Sequence, residues 1–324
     1  VLIQDRYGRP LFYAEDAQGH LHKDSGPGGG QFVSKGGESG SAAVQDSSGE
    51  PVKQKKAKKE KAVPSVESGP PKSVGETFAT MPLMKAASKE AKAWRKANQG
   101  RYDSDPKFKA LCDAVALFTQ GDYNVQRAFA EKAVTGQLPE QWADSQLPKW
   151  GDRPISGNPM ASYKTYFNGQ NFDFGNAANA TYDQAGRAFV EAIGESPPLE
   201  QSLFRGMTGR EAFKGVAALK PGDDFDVLGP SSFAADEQVA KDFAAGKGGG
   251  NRARDPVDGV VIEVLPGARG IPVSALSPWD QKEVITSGRF KVERVERTRI
   301  NEWDKYSPET IRLVIRQVNT WEPK

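Results

Sequence analysis

Asp280-Gln281-Lys282-Glu283-Val284-Ile285-Thr286-Ser287-Gly288-Arg289-Phe290-Lys291-Val292 is the stretch on which the fold of this chain turns. A glutamate opens an apolar run, and a carboxamide stands two positions before it. Strand side chains alternate between faces, so a strand that opens at Glu283 places Gln281, two residues earlier, on its face and Lys282 on the other. A carboxylate and a carboxamide are then presented side by side where the chain passes from a polar loop into a sheet. Taken alone, Gln-x-Glu at a strand start is most often a solvated edge.

Its weight comes from two partners upstream. In Leu203-Phe204-Arg205-Gly206-Met207 an arginine follows two apolar residues and precedes a glycine, which reads as a short strand ending in a turn. In Pro230-Ser231-Ser232-Phe233 a strand leads into 234–245, where Ala240 and Phe243 have helical spacing. Each residue has a bland account: Arg205 paired to a surface carboxylate, Ser232 capping the next helix, Glu283 solvated, Phe243 packed in a core. The three motifs carry meaning jointly and in order.

Together they resemble the Arg–Ser–Glu class of mono-ADP-ribosyltransferases, the family of the C3-like and binary toxins and of phage-type transferases. The family order is aromatic-Arg-Gly, then Ser-x-Ser leading to Ala-x-x-Phe, then Glu/Gln-x-Glu-Val before Gly-x-x-Phe-x-Val. Here these are Phe204-Arg205-Gly206, Ser232 with Ala240-Lys241-Asp242-Phe243, and Gln281-Lys282-Glu283-Val284. The resemblance spans roughly residues 105–318. One position departs from it: counted back from Ala240 and Phe243, the second motif reads Ser232-Phe233-Ala234, so the second serine is missing, and Ser231 is the alternative to Ser232.

The resemblance implies NAD as a co-substrate that is consumed, no metal, and cleavage of the bond between nicotinamide and ribose. The catalytic set it implies is Glu283, Gln281, Ser232 and Arg205. Glu283 steadies an oxocarbenium-like transition state, and Arg205 offers a planar charged fork to the diphosphate. Ser231, Ser232, Phe243, Arg252 and Arg254 complete the expected cofactor-binding set, the two arginines following the glycine run 246–250 in a loop that closes over the phosphates. Gln281 and Trp279 are the expected target-recognition residues. In the family, glutamate at the position of Gln281 accompanies arginine as target, and glutamine accompanies asparagine or a guanine base. The resemblance therefore implies an acceptor other than arginine, in keeping with the weak attraction of an uncharged amide for a guanidinium. The acceptor class is a protein or a nucleic acid. Two rivals stand beside transfer: NAD glycohydrolysis by the same residues, and a phage or mobile-element structural protein with a degenerate transferase domain, which the Gly28-Gly29-Gly30-Gln31-Phe32 element favours.

Composition bounds these expectations. The 324 residues carry 44 basic and 42 acidic side chains, so the chain as a whole has no strong preference for polyanions. The basic run 53–61 reads as a solvated linker. Cys112, the single cysteine, excludes an internal disulfide framework, and its apolar helical neighbours predict a buried thiol. His20 and His22, the only histidines, leave no Ser-His-Asp triad or His/Cys zinc site for the folded body. The glycine run lacks the Gly-Lys-Ser/Thr of a Walker loop. No apolar stretch approaches the roughly 18 residues of a membrane-spanning helix, so no membrane insertion is expected. The opening Val1-Leu2-Ile3 is not a signal peptide, and a start without methionine suits a fragment or a processed product.

Three regions are expected: a short segment at 1–22, a disordered Gly/Ser/Lys-rich linker at 23–79, and a catalytic domain at 80–324. Helices are predicted at 83–98, 106–118, 124–135 and 182–193. Strands are predicted at 202–207, 224–228, 260–265, 283–285, 290–295 and 311–318. Helices first and strands afterwards indicate an α+β fold. The resemblance implies two small antiparallel sheets flanked by helices, with NAD in the cleft and a monomeric chain.

Overall fold

The computed structural model describes residues 72–85, 87–119, 123–143, 147–152, 181–208, 210–246, 258–277, 281–299 and 308–324. The segment 1–22, most of the linker, the basic run, Arg252, Arg254 and Trp279 lie outside the described residues.

The described chain starts earlier than the expected boundary at 80. Helix α1 (Val74–Ala79) is closed by a capping box in which Ser73 Oγ accepts from the Glu76 amide and Glu76 accepts from the Ser73 amide. Phe78 on this helix is fully buried against Trp94 and Phe108, with ring centroids 5.9 and 5.6 Å away. One capped turn with one aromatic anchor suffices to join the core, so the end of the linker is corrected from 79 to before Ser73.

Helix α2 (Lys89–Ser104) begins six residues later than the predicted 83, after Ser88, whose hydroxyl accepts from the Ala91 amide. Asp105 ends α2 and caps α3 (Pro106–Leu117), accepting from the amides of Lys107 and Phe108. Helices α4 (Tyr123–Thr135), the single-turn α5 (Glu140–Ala143) and α6 (Tyr182–Glu195) follow among the described residues of the helical half, α6 again opened by a capping box, Thr181 with Gln184. Phe108, Leu111, Phe118, Phe129, Phe189 and Ile193 form its core together with Ile271, Val273, Leu276 and Ile285 from the sheet side. Cys112 belongs to this core as expected, and burial pushes its thiol well above the usual range, which makes it inert.

The second half contains β1 (Leu203–Thr208), α7 (Arg210–Ala217), β2 (Asp224–Ala234), α8 (Glu237–Ala244), β3 (Gly259–Val264), β4 (Ile271–Pro272), β5 (Glu283–Arg299) and β6 (Glu309–Asn319). The architecture is α+β, as expected. The pairing order is β2-β1-β3-β6-β5-β4, with β2 also paired to β5.

Strand β5 serves two groups of strands. Its first half, Glu283 to Lys291, runs antiparallel to β2 and also carries β4. Its second half, from Arg289 to Arg299, runs antiparallel to β6. Gly288 sits at the changeover with φ 144°, and a Cβ there would lie 2.4 Å from the Asn319 carbonyl oxygen, so only glycine fits. The predicted strands 283–285 and 290–295 are therefore one strand. Likewise β2 runs through Gly229-Pro230 with a register shift between Val227 and Ser231, a bulge where a strand accepts proline. One pairing departs from the antiparallel expectation: β3 and β6 are parallel. Parallel neighbours require a long connection, and the chain between Val264 and Glu309, which contains β4 and β5, supplies it.

Helix α8 lies against β1 and β3 through two glycines. A Cβ on Gly206 would come 1.8 Å from the Ala240 carbonyl oxygen, and one on Gly259 would come 2.2 Å from that of Ala244. Gly206 is thus in mid-strand, and the turn predicted there is absent. The glycine is needed because a helix backbone approaches. Ala240 and Ala244 are the small residues that complete the contact, packed with Val261 and Phe204.

Candidate active site

Arg205, Ser232 and Glu283 come together at the junction of β1, β2 and the start of β5. The register explains how. Ala234 is directly opposite Glu283, and Ser232 is opposite Ile285, so Ser232, Ala234, Glu283 and Ile285 share one face of the β2–β5 ladder. Ser232 Oγ then reaches diagonally to donate to Glu283 Oε1 at 2.6 Å. Ala234 is also the contact of β2 with Phe204 of β1, which brings Arg205 alongside. Arg205 Nη1 donates to the Ser232 carbonyl oxygen at 2.8 Å, and its guanidinium lies 6.0 Å from the centre of the Phe233 ring.

Glu283 is only 5 % exposed. Burial raises its carboxyl above the ordinary value of 4.5, and the hydroxyls of Ser232 and Ser277 and the charge of Arg205 oppose that rise without cancelling it. A desolvated carboxylate beside an arginine, with oriented hydroxyls, is an arrangement that interacts strongly with positive charge developing nearby.

The register also decides between the two serines. Ser231 is opposite Thr286 on the other face, is 1 % exposed, and its hydroxyl donates to the Gly229 carbonyl oxygen. Ser232 is therefore the serine at the carboxylate. The capping role considered for it falls to Asp236, whose carboxylate accepts from the Gln238 amide at the head of α8.

Gln281 is not on the strand. Glu283 is the first residue of β5, and Lys282 before it has φ 47°, a left-handed conformation unusual for a residue with a side chain. Strand alternation does not carry back across such a residue, so the expectation that Gln281 and Glu283 share a strand face is corrected. Gln281 is half-buried and Lys282 exposed. The Lys282 carbonyl oxygen accepts from the Ala235 amide, and its ammonium lies 3.4 Å from Asp236, so this corner is tied to the entry of α8. Phe243 on α8 is half-buried, whereas Ala240 and Ala244 take the buried positions of the helix.

Ser277 was not among the expected site residues. Its hydroxyl donates to the Glu283 carboxylate although it lies before the stretch that drew attention to the glutamate. A serine next to Pro278 reads as loop punctuation, and nothing in the sequence aims it at Glu283. A shallow groove of about 390 Å³ lined by Arg289, Asn319, Thr320, Trp321 and Glu322 includes none of these residues. Among the described residues, no helix is long and apolar enough to cross a membrane.

No family model matches the chain, and no curated protein matches it. Solved structures do. The Vis toxin, an ADP-ribosyltransferase from Vibrio splendidus, is 14 % identical over 75 % of this chain and 90 % of its own, with a TM-score of 0.38. Exoenzyme S from Pseudomonas aeruginosa, solved with human 14-3-3 protein beta and carba-NAD, is 17 % identical over 70 % of this chain and 88 % of its own, with a TM-score of 0.37. An ADP-ribosyltransferase from Clostridium botulinum is 15 % identical over 71 % of this chain and 96 % of its own, with a TM-score of 0.34. Likenesses of this size assign no activity, and the chemistry of the site has to be argued from its own residues.

Proposed function

We propose that the chain is an NAD-dependent mono-ADP-ribosyltransferase. It cleaves the bond between nicotinamide and ribose and transfers ADP-ribose to a macromolecular acceptor other than an arginine side chain. The observation that carries this is the joined set Arg205–Ser232–Glu283, with Ser232 Oγ 2.6 Å from the Glu283 carboxylate and Arg205 held on the Ser232 carbonyl oxygen. The donor set suits the substrate: one charged planar fork for a diphosphate and one carboxylate for a ribose that gains positive charge.

In this reading Arg205 binds the diphosphate and Ser232 holds the carboxylate in register. Glu283 accepts a hydrogen bond from a ribose hydroxyl and stabilises the developing charge at C1′. As the C1′–N bond breaks, its electron pair leaves with nicotinamide, a neutral leaving group, so no general acid is required. A lone pair of the acceptor closes the new bond to C1′, and the acceptor's proton passes to solvent or to a basic neighbour. Gln281 is assigned to the acceptor side of the carboxylate; an amide there suits an amide or nucleobase edge better than a cation. Phe243, half-buried on α8, is assigned to nicotinamide, and Arg252, Arg254 and Trp279 belong to the loops assigned to phosphate closure and target contact.

Incubation with NAD labelled in the adenylate half tests the proposal. Label on protein or nucleic acid supports transfer, and free ADP-ribose alone supports the glycohydrolase. Intact NAD at high enzyme concentration refutes both and leaves the degenerate domain.

A further inference from the structure

Two hydroxyls donate to the Glu283 carboxylate. One is Ser232 on β2. The other is Ser277, at the end of a turn that the rest of the molecule clamps. Val273, Ser274, Ala275, Leu276 and Ser277 are all essentially without exposure. The Val273 amide donates to the Glu283 carbonyl oxygen at 2.9 Å, and the Ser274 hydroxyl donates to the same atom at 3.3 Å. From the helical side, buried Arg95 of α2 donates through Nη1 to the Ala275 carbonyl oxygen at 2.7 Å, and Thr119 at the end of α3 donates to that of Leu276 at 3.5 Å. The Ala275 amide meets the Met81 sulfur at 3.4 Å. The turn is thus fixed on both sides, and it carries a hydroxyl to the carboxylate.

Across the ladder, the residue directly opposite Glu283 is Ala234, which has no polar atom to offer. We propose that Ser277 is a positioning residue for Glu283: its hydroxyl, set by the clamped turn, is the second donor on the carboxylate and takes the place that a hydroxyl at position 234 would fill. This rests on the role given to Glu283 above. Two donors carried by separate elements restrict the rotamer of a carboxylate more than one donor does. They also keep it ionised against its burial.

The test uses the full chain with Ser277→Ala, Ala234→Ser/Ser277→Ala and Glu283→Gln in each background. For Ser277→Ala the expected loss in kcat/KM is roughly ten- to a hundredfold at neutral pH, the usual worth of one hydrogen bond to a charged group. The acid limb of its pH profile moves to higher pH, because a donor that favours the ionised form is gone. Ala234→Ser in that background places a hydroxyl opposite Glu283 and brings both rate and pH limb back toward wild type. A residue that only filled space would lower Tm without moving the pH limb, and no hydroxyl across the ladder would rescue it.

A readout without NAD separates this inference from the activity. The pH dependence of Tm, compared between each background and its Glu283→Gln partner, reports the ionisation of Glu283 directly. A midpoint that moves upward on Ser277→Ala and returns with Ala234→Ser supports the inference even if the wild type leaves NAD intact, which would refute only the proposed reaction. An unmoved midpoint and pH limb overturn it. Should Ser277→Ala fail to fold, Ser277→Cys keeps the volume with a weaker donor and carries the same comparison.

Discussion

Replacing Glu283 with glutamine separates what the carboxylate does for chemistry from what it costs the fold. The shape is kept and the charge is lost. In the wild type Ser232 Oγ donates to Oε1 at 2.6 Å and Ser277 donates as well. The glutamine retains one oxygen to accept from a serine, and the other hydroxyl can turn to accept from the new amide, so no buried polar atom is stranded. Loss of the charge should remove about 3–4 kcal/mol of transition-state stabilisation, a fall in NAD cleavage on the order of 10² to 10³. The fold should gain. Glu283 is raised above its ordinary value of 4.5 by burial, so the folded chain binds its proton more tightly than the unfolded chain. Stability is therefore lost as pH rises from 4.5 through the folded value, and the penalty is complete above it. Glu283→Gln escapes that penalty. Its Tm should exceed the wild type's at neutral pH, and the two should converge below about pH 4, where both side chains are neutral. Single-turnover cleavage of labelled NAD and thermal melts from about pH 3 to 8 give both quantities. Undiminished cleavage removes Glu283 from the mechanism; a Tm difference that does not depend on pH shows that its burial carries no electrostatic cost.

Gly206→Ala forces a methyl against a helix carbonyl 1.8 Å away, so α8 must shift; about 3 kcal/mol of overpacking and a Tm lower by roughly 6–12 °C are expected by calorimetry. Arg205→Lys keeps the charge but loses the fork, so KM for NAD should rise about tenfold with kcat changed much less, as read by steady-state kinetics. Gln281→Ala should preserve most NAD hydrolysis while sharply reducing transfer to the natural acceptor; equal falls in both would place Gln281 in the NAD site.

What the sequence made legible was the set of side chains that need one another and their order. What it hid was mostly backbone. The serine was ambiguous because Ser231 and Ser232 are adjacent, and only the ladder register, which puts Ser231 on the other face, separates them. Gly288 and Gly229-Pro230 read as strand breaks, yet one is the changeover of a shared strand and the other a bulge. Gly206 read as a turn because the helix that demands it arrives from more than thirty residues away, about the usual size of one supersecondary unit. Helix α1 was lost in a polar stretch because its stability comes from Phe78 in a distant core rather than from local pattern. Helix α7 (Arg210–Ala217) was missed because eight residues give a weak periodic signal. No residue type announces a left-handed lysine, so the corner at Lys282 was invisible, and with it the true place of Gln281.

That left-handed corner also bears on how the chain can vary. In an uninterrupted strand, a single inserted residue turns every following side chain to the opposite face. Here the alternation begins only at Glu283, after Lys282 has reset the backbone direction. The carboxylate takes its orientation from Ser232 on β2 and from Ser277 at the end of the clamped turn. A change in length between the clamped turn, which ends at Ser277, and Lys282 therefore does not by itself turn the alternation of β5 over. On the proposed reading, in which Trp279 and Gln281 face the acceptor, acceptor preference can change by insertion and deletion as well as by substitution while Arg205, Ser232 and Glu283 keep their places.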